Sequence, residues 1–206
     1  VGLAFDGDAD RMLAVDENGE LVDGDQIMAI CGLHMKQKGM LKNDTIVVTV
    51  MSNLGLTLMA EKEGLKLEKT KVGDRYVLEN MMEHGYNLGG EQSGHTIFRE
   101  YATTGDGQLS GAKILEILKA SGCKMSELAG VMDKFPQVMI NVKIPNSRKE
   151  NWKNDGEITN LIDRKEQELG DAGRILVRES GTEPLIRVML EGKNIKEIAA
   201  MAKEVA

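Results

Sequence analysis

The chain has 206 residues, of which 29% are charged and 41% apolar, as is usual for a globular protein of one large or two small domains. A formal net charge of -7 argues against a nucleic acid or an anionic membrane surface as a partner. No segment resembles a membrane span, and Cys31 and Cys123 lack metal-site or redox spacing, so we expect a cytoplasmic protein with reduced thiols.

An apolar run at residues 1–5 predicts a strand, and it leads directly into Asp6, Asp8, Asp10 and Arg11. Clustered carboxylates repel one another unless a cation lies among them, and an all-oxygen set suits a hard divalent ion such as Mg²⁺. An arginine beside them can hold an anion such as a phosphoryl group. The stretch, which we call the acidic loop (residues 6–11), therefore predicts a magnesium site.

The acidic loop is also compatible with other motifs. An EF-hand needs a glycine where Arg11 stands and a helix before the loop, so it is disfavoured. A haloacid-dehalogenase-type phosphatase also opens with a strand and Asp-x-Asp, with Asp6 as the nucleophile. That alternative stays open, as does a solvated acidic turn.

The next hundred or so residues alternate between strand and helix patterns. β-Branched and apolar runs predict strands, and apolar residues at helical spacing predict helices between them. Such alternation is typical of an α/β fold with a mixed, mostly parallel sheet. The predicted strands are at residues 12–15, 44–50, 65–70 and 88–90, and the predicted helices are at residues 26–38, 54–63, 75–84 and 111–120.

Two loops in this region carry polar groups. The turn at residues 70–75 contains Thr70, Gly73 and Asp74, and it leads into a predicted helix. A helix N-terminus can bind an anion, although the simpler interpretation is that Asp74 caps its own helix.

The second loop, at residues 90–95, is the Glu-Gln-Ser loop. Its Glu91, Gln92 and Ser93 offer hydrogen-bonding groups suited to sugar hydroxyls, and His95 can transfer a proton near neutral pH. A polar turn whose glutamate caps a neighbouring helix explains the composition equally well.

Residues 135–206 predict a second, smaller α+β unit. The pattern gives the order β-α-β-β-α, with Asn194 as the N-cap of the last helix. The predicted strands are at residues 138–144, 173–177 and 185–190, and the predicted helices are at residues 153–169 and 194–205.

Between the last two strands lies the arginine loop, which we define as residues 178–187. Backbone N–H groups and hydroxyls can form a concave nest for a phosphate monoester, and two arginines add bidentate charge. Two glutamates in the same loop weaken the positive potential, and a polar hairpin with incidental arginines remains an alternative. The candidate phosphate ligands are Arg178, Ser180, Gly181, Thr182 and Arg187.

These loops occur together, and in this order, in the α-D-phosphohexomutases, which the chain resembles from end to end. Residues 6–11 are similar to the metal-binding loop of that family, residues 90–95 to its sugar-binding loop and residues 178–184 to its phosphate-binding loop. Residues 70–75 resemble a further substrate-contact turn. The residue sequences of the Glu-Gln-Ser motif and of the Ser-Gly-Thr-Glu-Pro motif are more similar to those of the glucosamine branch than to those of phosphoglucomutases or phosphomannomutases.

The resemblance implies a four-domain layout of which this chain holds the later part. Residues 1–19 would end a preceding α/β domain and carry the metal loop. Residues 20–134 would be the third, sugar-binding domain, and residues 135–206 the fourth, phosphate-binding domain. The implied activity interconverts glucosamine 6-phosphate and glucosamine 1-phosphate through a phosphoserine and a bisphosphorylated intermediate.

The resemblance also implies a role for each candidate residue. Asp6, Asp8 and Asp10 would hold Mg²⁺, and Arg11 and His95 would act in catalysis. Sugar contacts would come from Thr70, Gly73, Asp74, Glu91, Gln92 and Ser93. The phosphate that is not transferred would be held by Arg178, Ser180, Gly181, Thr182 and Arg187.

No residue of this chain matches the phosphorylated serine of the family, since Ser52 and Ser180 have different surroundings. We therefore expect a C-terminal portion that is inactive alone, works with N-terminal domains of the same protein and still binds hexosamine phosphate. Another phosphohexomutase and a non-catalytic sugar-phosphate-binding module remain alternatives.

Overall fold

A computed structural model describes all 206 residues. The chain forms two compact units, Val1–Lys134 and Phe135–Ala206. The predicted fold class, a mixed and mostly parallel α/β unit followed by a smaller α+β unit, is confirmed. None of the helices combines the length and the apolar character needed to cross a membrane. The separate assignment of residues 1–19 to a preceding domain stays a prediction.

The first unit contains two sheets and five helices. Its strands are β1 (Gly2–Phe5), β2 (Met12–Val15), β3 (Leu21–Val22), β4 (Thr45–Thr49), β5 (Lys66–Thr70), β6 (Leu88–Gly90) and β7 (Thr96–Phe98). Its helices are α1 (Gly24–Gln37), α2 (Leu54–Lys62), α3 (Asp74–His84), α4 (Gly107–Ser121) and α5 (Met125–Ala129). Strands β1, β2 and β3 form an antiparallel sheet in that order.

The larger sheet of the first unit has the order β5-β4-β6-β7. Strand β4 is parallel to β5 and β6, whereas β7 is antiparallel to β6. Every residue of β4 is buried, as expected for a β-branched strand covered on both faces. Ile46 and Val48 join the larger core, and Val47 packs with Val77 and Met81 of α3 on the other face.

The direction of these strands positions the polar loops. Parallel strands present their carboxyl ends at one edge of a sheet, which is where ligands bind in α/β folds. The turn after β5 and the Glu-Gln-Ser loop after β6 lie at that edge. Strand β7 was not predicted, because its three residues are too few to show a periodic pattern.

The second unit is a three-stranded antiparallel sheet with two helices. Strands β8 (Gln137–Lys143), β9 (Gly173–Glu179) and β10 (Leu185–Gly192) have the order β8-β10-β9. Helices α6 (Gly156–Leu169) and α7 (Ile195–Val205) complete the predicted β-α-β-β-α order. Val188 and Leu190 pack against Ile198 and Ala202 of α7 to form its core.

Two helix starts lie at least three residues from the position that the sequence predicts. Helix α4 begins at Gly107 rather than at residue 111, because Asp106 accepts a hydrogen bond from the Leu109 N–H and caps it. Helix α6 begins at Gly156 rather than at residue 153, because Asp155 is its N-cap. The segment before Asp155 forms two short 3₁₀ turns, Asn146–Arg148 and Asn151–Asn154. The predicted N-cap at Asn194 is confirmed.

Candidate functional site

The acidic loop is a tight turn that folds Asp6 back onto Arg11. Ala9 adopts a left-handed φ of 57°, and its N–H donates to the Asp6 carbonyl at 3.2 Å. The Arg11 N–H donates to Asp6 Oδ1 at 3.3 Å, and Arg11 Nε lies 3.9 Å from Asp6 Oδ2. The loop therefore holds its own arginine against the first of its three carboxylates.

The three predicted metal ligands share this loop without forming a preformed metal cage. Nowhere in the chain do three or more His, Cys, Asp or Glu side chains converge in a way that could hold a metal ion. The Asp6 carboxylate forms an ion pair with Arg11, whereas the Asp10 carboxylate lies near His95. The donor set, three carboxylates on one turn, fits Mg²⁺ chemically.

His95 connects three polar segments at the sheet edge. Its side chain is only 3% exposed, and its Nε2 lies 3.7 Å from Asp10 Oδ2 and 4.0 Å from Asp74 Oδ2. The same Nε2 accepts a hydrogen bond from the Gly105 N–H at 3.2 Å. The other ring nitrogen, Nδ1, is buried and has no hydrogen-bond partner within the chain.

The Glu-Gln-Ser loop is fixed by its backbone. The Glu91 N–H donates to the His95 carbonyl at 2.9 Å, and the Gln92 carbonyl accepts from Gly24 at the start of α1 at 3.0 Å. A Cβ on Gly24 would lie 2.2 Å from the Glu91 carbonyl oxygen, so only glycine permits this approach. The loop is therefore held rigidly while Ser93 remains exposed.

The structure brings the Glu-Gln-Ser loop together with the two other segments singled out from the sequence. Glu91 Oε1 accepts a hydrogen bond from the Gly73 N–H at 2.9 Å, which joins the loop to the turn after β5. Ser93 lines an open cleft of about 300 Å³ together with Asp6 and Arg11. Polar groups from three separate loops thus share one edge of the first unit.

The turn after β5 differs from the sequence interpretation in one respect. Gly73 is the N-cap of α3, with a φ of 131° that favours glycine, and Asp74 is the first helical residue. The prediction that Asp74 caps its own helix is wrong, because Asp74 lies inside the helix and the N-cap position belongs to Gly73. The Asp74 Oδ1 accepts a hydrogen bond from the N–H of the next residue, Arg75, at 2.8 Å. Thr70 ends β5, and its hydroxyl donates to the Lys71 carbonyl at 2.9 Å.

In the second unit, the arginine loop pairs two cations across adjacent strands. Arg178 and Arg187 are direct partners in the β9–β10 register, where like charges destabilise a sheet. Burial, together with the charge of Arg187, lowers the pKa of Arg178. The Nε–H groups of both arginines are buried and donate to no protein acceptor. These donors are suited to an anion.

The rest of the arginine loop is folded around Ser180, which is 4% exposed. Its N–H donates to the Leu185 carbonyl at 3.0 Å, and its Oγ accepts from the Glu183 N–H at 3.2 Å. Gly181 and Thr182 are exposed at the tip. Arg187 Nη2 lies 2.9 Å from Glu183 Oε2, so an anion at this position would compete with that carboxylate.

One segment of the site was missed from the sequence: residues 103–107, Thr-Thr-Gly-Asp-Gly. The Gly107 N–H donates to the Ala9 carbonyl at 3.0 Å, and Gly105 contacts His95 as described. A Cβ on Gly105 would lie 2.4 Å from His95 Cδ2. The signal was the Gly-Asp-Gly triplet before an amphipathic helix, which marks an N-cap and two close backbone contacts.

The fold and these loops define a class: α/β proteins whose polar loops gather at the carboxyl edge of a largely parallel sheet. The chain belongs to the phosphoglucomutase/phosphomannomutase family, the α-D-phosphohexomutases. The model of the family's alpha/beta/alpha domain III matches residues 23–135, and that of its C-terminal domain matches residues 139–206. The resemblance stated from the motifs is confirmed.

Among curated proteins, this chain is similar to phosphoglucosamine mutases. It is 60% identical over 204 residues to that of Acetivibrio thermocellus, which covers 99% of this chain and 45% of the relative. It is 57% identical over 206 residues to that of Clostridium novyi, which covers 100% of this chain and 46% of the relative. The chain thus spans about half the length of the curated relatives it matches.

Solved structures show the same fold at lower identity. A phosphoglucomutase/phosphomannomutase family protein from Burkholderia thailandensis aligns with a TM-score of 0.80 at 22% identity, covering 98% of this chain and 44% of that one. N-acetylphosphoglucosamine mutase from Aspergillus fumigatus, in complex with GlcNAc-6P and magnesium, aligns with a TM-score of 0.73 at 24% identity, covering 98% and 47%. A magnesium ion is therefore present in a structural neighbour.

Proposed function

We propose that the chain is the metal-, sugar- and phosphate-binding portion of a phosphoglucosamine mutase, which interconverts glucosamine 6-phosphate and glucosamine 1-phosphate. The observation that carries the proposal is the convergence, around His95, of Asp10, Asp74 and the Gly105 N–H, with Glu91 bound to the same turn. The identity of 60% to a phosphoglucosamine mutase supports this branch of the family.

The sugar would be held by the first unit. Glu91 and Ser93 present a carboxylate and a hydroxyl that bind sugar hydroxyls in either orientation of the ring, and Gln92 lies between them. Thr70, Gly73 and Asp74 line the adjoining turn, whose Gly73 N–H orients the Glu91 carboxylate. A sugar-binding site that accepts the ring in two orientations is required when phosphate must be transferred at both ends of the same sugar.

The acidic loop would receive the phosphoryl group in transfer. Asp6, Asp8 and Asp10 would hold Mg²⁺, which when bound offsets charge on the transferred group. Arg11, already beside Asp6, would orient the phosphoryl oxygens. His95, which lies near Asp10 and Asp74, would act at the sugar hydroxyl that gains or loses a proton.

The phosphate that is not transferred would be held by the second unit. Arg178 and Arg187 supply buried Nε–H donors, and the tip residues Gly181 and Thr182 add backbone and hydroxyl donors. The Ser180 hydroxyl accepts from Glu183 and retains its own hydrogen for an anion.

The nucleophile would come from elsewhere. We propose that a phosphoserine on N-terminal domains of the same protein gives its phosphoryl group to one sugar hydroxyl and receives the other phosphate back. This chain would therefore bind hexosamine phosphate without turning it over, and the protein would act in the cytoplasm. An aspartyl phosphatase using Asp6 is not proposed, because the chain belongs to another family.

Calorimetric titration of this chain with glucosamine 6-phosphate in the presence of Mg²⁺ tests the proposal. We expect saturable binding, weaker binding of mannose 6-phosphate and no conversion to the 1-phosphate. The substitution Arg187→Met should weaken binding roughly tenfold or more, because it removes a charge-assisted hydrogen bond.

The matched control is Arg164→Met, which removes the same charge from an exposed position of α6 in the same unit. Its affinity should equal that of the parent chain. Equal weakening by both substitutions would mean that net charge, and not the arginine loop, holds the phosphate. Sustained turnover by the chain alone would refute the assignment of the nucleophile to other domains.

A further inference from the structure

Behind the arginine loop lies a short segment that the function described so far does not use. Residues 146–154, which we call the strap, connect β8 to α6 as two 3₁₀ turns. Three of its side chains, Lys149, Trp152 and Lys153, reach across to residues 179 and 180, where the arginine loop leaves β9. These contacts join parts of the chain about 30 residues apart in sequence.

The first contact fixes the backbone of the arginine loop. Lys149 Nζ donates to the Ser180 carbonyl at 2.6 Å, and Lys149 is half-buried. The Ser180 N–H and hydroxyl oxygen are already bound within the hairpin, to Leu185 and Glu183. The strap therefore supplies the remaining restraint on Ser180, and with it on the orientation of the next peptide, whose N–H belongs to Gly181.

The second set of contacts concerns charge. Lys153 Nζ lies 2.8 Å from Glu179 Oε1, and the Trp152 indole N–H donates to the same oxygen at 2.9 Å. Although burial alone raises the pKa of Glu179, hydrogen bonds from Lys153, Trp152 and the backbone lower it overall. A carboxylate adjoining a phosphate site repels the ligand unless it is neutralised, and the strap provides that neutralisation.

The geometry also separates this carboxylate from the arginines. Arg178 and Glu179 are consecutive residues of β9, so their side chains leave opposite faces of the sheet. The arginines act from one face, and the strap holds Glu179 on the other.

We infer that the strap is a positioning element for phosphate recognition. Lys149 fixes the backbone conformation of the arginine loop at Ser180. Trp152 and Lys153 hold the Glu179 carboxylate away from the anion. The inference rests on the proposed phosphate-binding function of the arginine loop. It assigns Lys149, Trp152 and Lys153 a role that is distinct from direct contact with the phosphate. Because Trp152 is the only tryptophan of the chain, its fluorescence should report ligand binding at the neighbouring loop.

The test is a titration of the whole chain with glucosamine 6-phosphate and, separately, with inorganic phosphate, followed by Trp152 fluorescence and by calorimetry. We expect both ligands to change the emission. Lys149→Met should weaken binding about tenfold, because it removes a charge-assisted hydrogen bond. Lys149→Arg should restore most of the affinity, since it keeps the donor.

Lys196→Met is the matched control, because it removes the same charge from an exposed position of α7 in the same unit. Its affinity should not change. An unchanged affinity for Lys149→Met, or an equal loss for Lys196→Met, would overturn the inference.

A ligand-free measurement separates this inference from the proposed function. The amides of Ser180, Glu183 and Leu185 are hydrogen-bonded within the loop, and their hydrogen exchange can be followed by NMR. Exchange at these amides should accelerate at least about tenfold in Lys149→Met and return towards the parent rate in Lys149→Arg. If the parent chain binds neither ligand, the proposed function fails, whereas unchanged exchange in Lys149→Met refutes the strap alone.

Discussion

Gly107, the first residue of helix α4, approaches the acidic loop so closely that the position has room only for hydrogen. A Cβ there would lie 2.7 Å from the Arg11 carbonyl oxygen and 2.9 Å from that of Ala9. Both atoms belong to backbone, which cannot rotate away as a side chain does. A single missing methyl group therefore sets the distance between this helix and the loop that carries Asp6, Asp8 and Asp10.

Gly107→Ala should accordingly destabilise the chain by about 1–3 kcal/mol, the usual cost of overpacking. It should also weaken any Mg²⁺ binding, because the acidic loop must shift. Thermal unfolding and titration with Mn²⁺ followed by paramagnetic relaxation measure the two effects.

Gly156→Ala is a close control for that substitution. Gly156 is likewise the first residue of a helix and follows an aspartate N-cap, but a Cβ there meets nothing within 4 Å. It should be neutral or slightly stabilising, since alanine favours the helical state. Equal destabilisation at both positions would contradict the close-contact explanation.

The two cysteines differ in their surroundings at the same scale. Cys31 is buried in α1, and burial raises the pKa of its thiol to about 12, whereas Cys123 is exposed. Because the thiolate is the reactive form, only Cys123 should react with iodoacetamide in the native chain. Mass spectrometry after labelling should find one modified cysteine, and two after unfolding. Rapid labelling of Cys31 in the native state would contradict the described core.

Among the elements, β10 is the central strand of the second unit and carries that unit's most buried charge. Glu191 is fully buried, and its Oε2 lies 2.6 Å from Arg174 Nε on β9. Its Oε1 accepts from Gln137 Nε2 of β8 at 2.9 Å. One carboxylate thus links all three strands of the sheet.

Glu191→Met should cost about 3–5 kcal/mol of stability, because it leaves Arg174 without this carboxylate in a largely buried position. Adding Arg174→Met should recover most of the loss, since an apolar pair of similar volume replaces the ion pair. Urea unfolding of the two variants provides the comparison. A double variant less stable than the single one would show that the pair itself stabilises the sheet.

The link between the strap and β9 predicts a dependence on pH. The pKa of Glu179 is lowered in the folded chain, so its contribution to stability is present above the ordinary glutamate pKa and is lost as pH falls through the lower folded value. Glu179→Gln should remove the share of the acid-induced loss of unfolding free energy that comes from Glu179. Chemical unfolding between about pH 2 and pH 6 measures it, and parallel pH profiles for parent and variant would contradict the assignment.

Across the whole molecule, the sequence predicted the order of helices and strands better than it predicted the contacts within the site. β-Branched β4 and the periodic helices identified the α/β unit, and Asn194 identified the last helix. The Asp, Glu-Gln-Ser and arginine motifs carried the resemblance because each is continuous in sequence. Contacts that join distant residues left no such pattern, among them His95 with Gly105, Glu91 with Gly73 and Lys149 with Ser180.

The difference has a physical basis. A helix or a strand shows in the spacing of apolar residues, since periodic burial stabilises it. The geometry of a site depends on where the loops that follow different strands lie, and on side-chain rotamers. Neither is encoded in the spacing of apolar residues. The three aspartates illustrate this limit, because their chemistry predicts Mg²⁺ whereas the structure turns two of them towards Arg11 and His95.

The most direct test of the central claim is an NMR titration of this chain with glucosamine 6-phosphate in the presence of Mg²⁺, observed through its backbone amides. We predict saturable shifts at the Glu-Gln-Ser loop (residues 90–95) and saturable shifts at the arginine loop (residues 178–187), with no conversion of the ligand. Shifts that fail to saturate, or that are confined to residues outside both loops, would contradict the account.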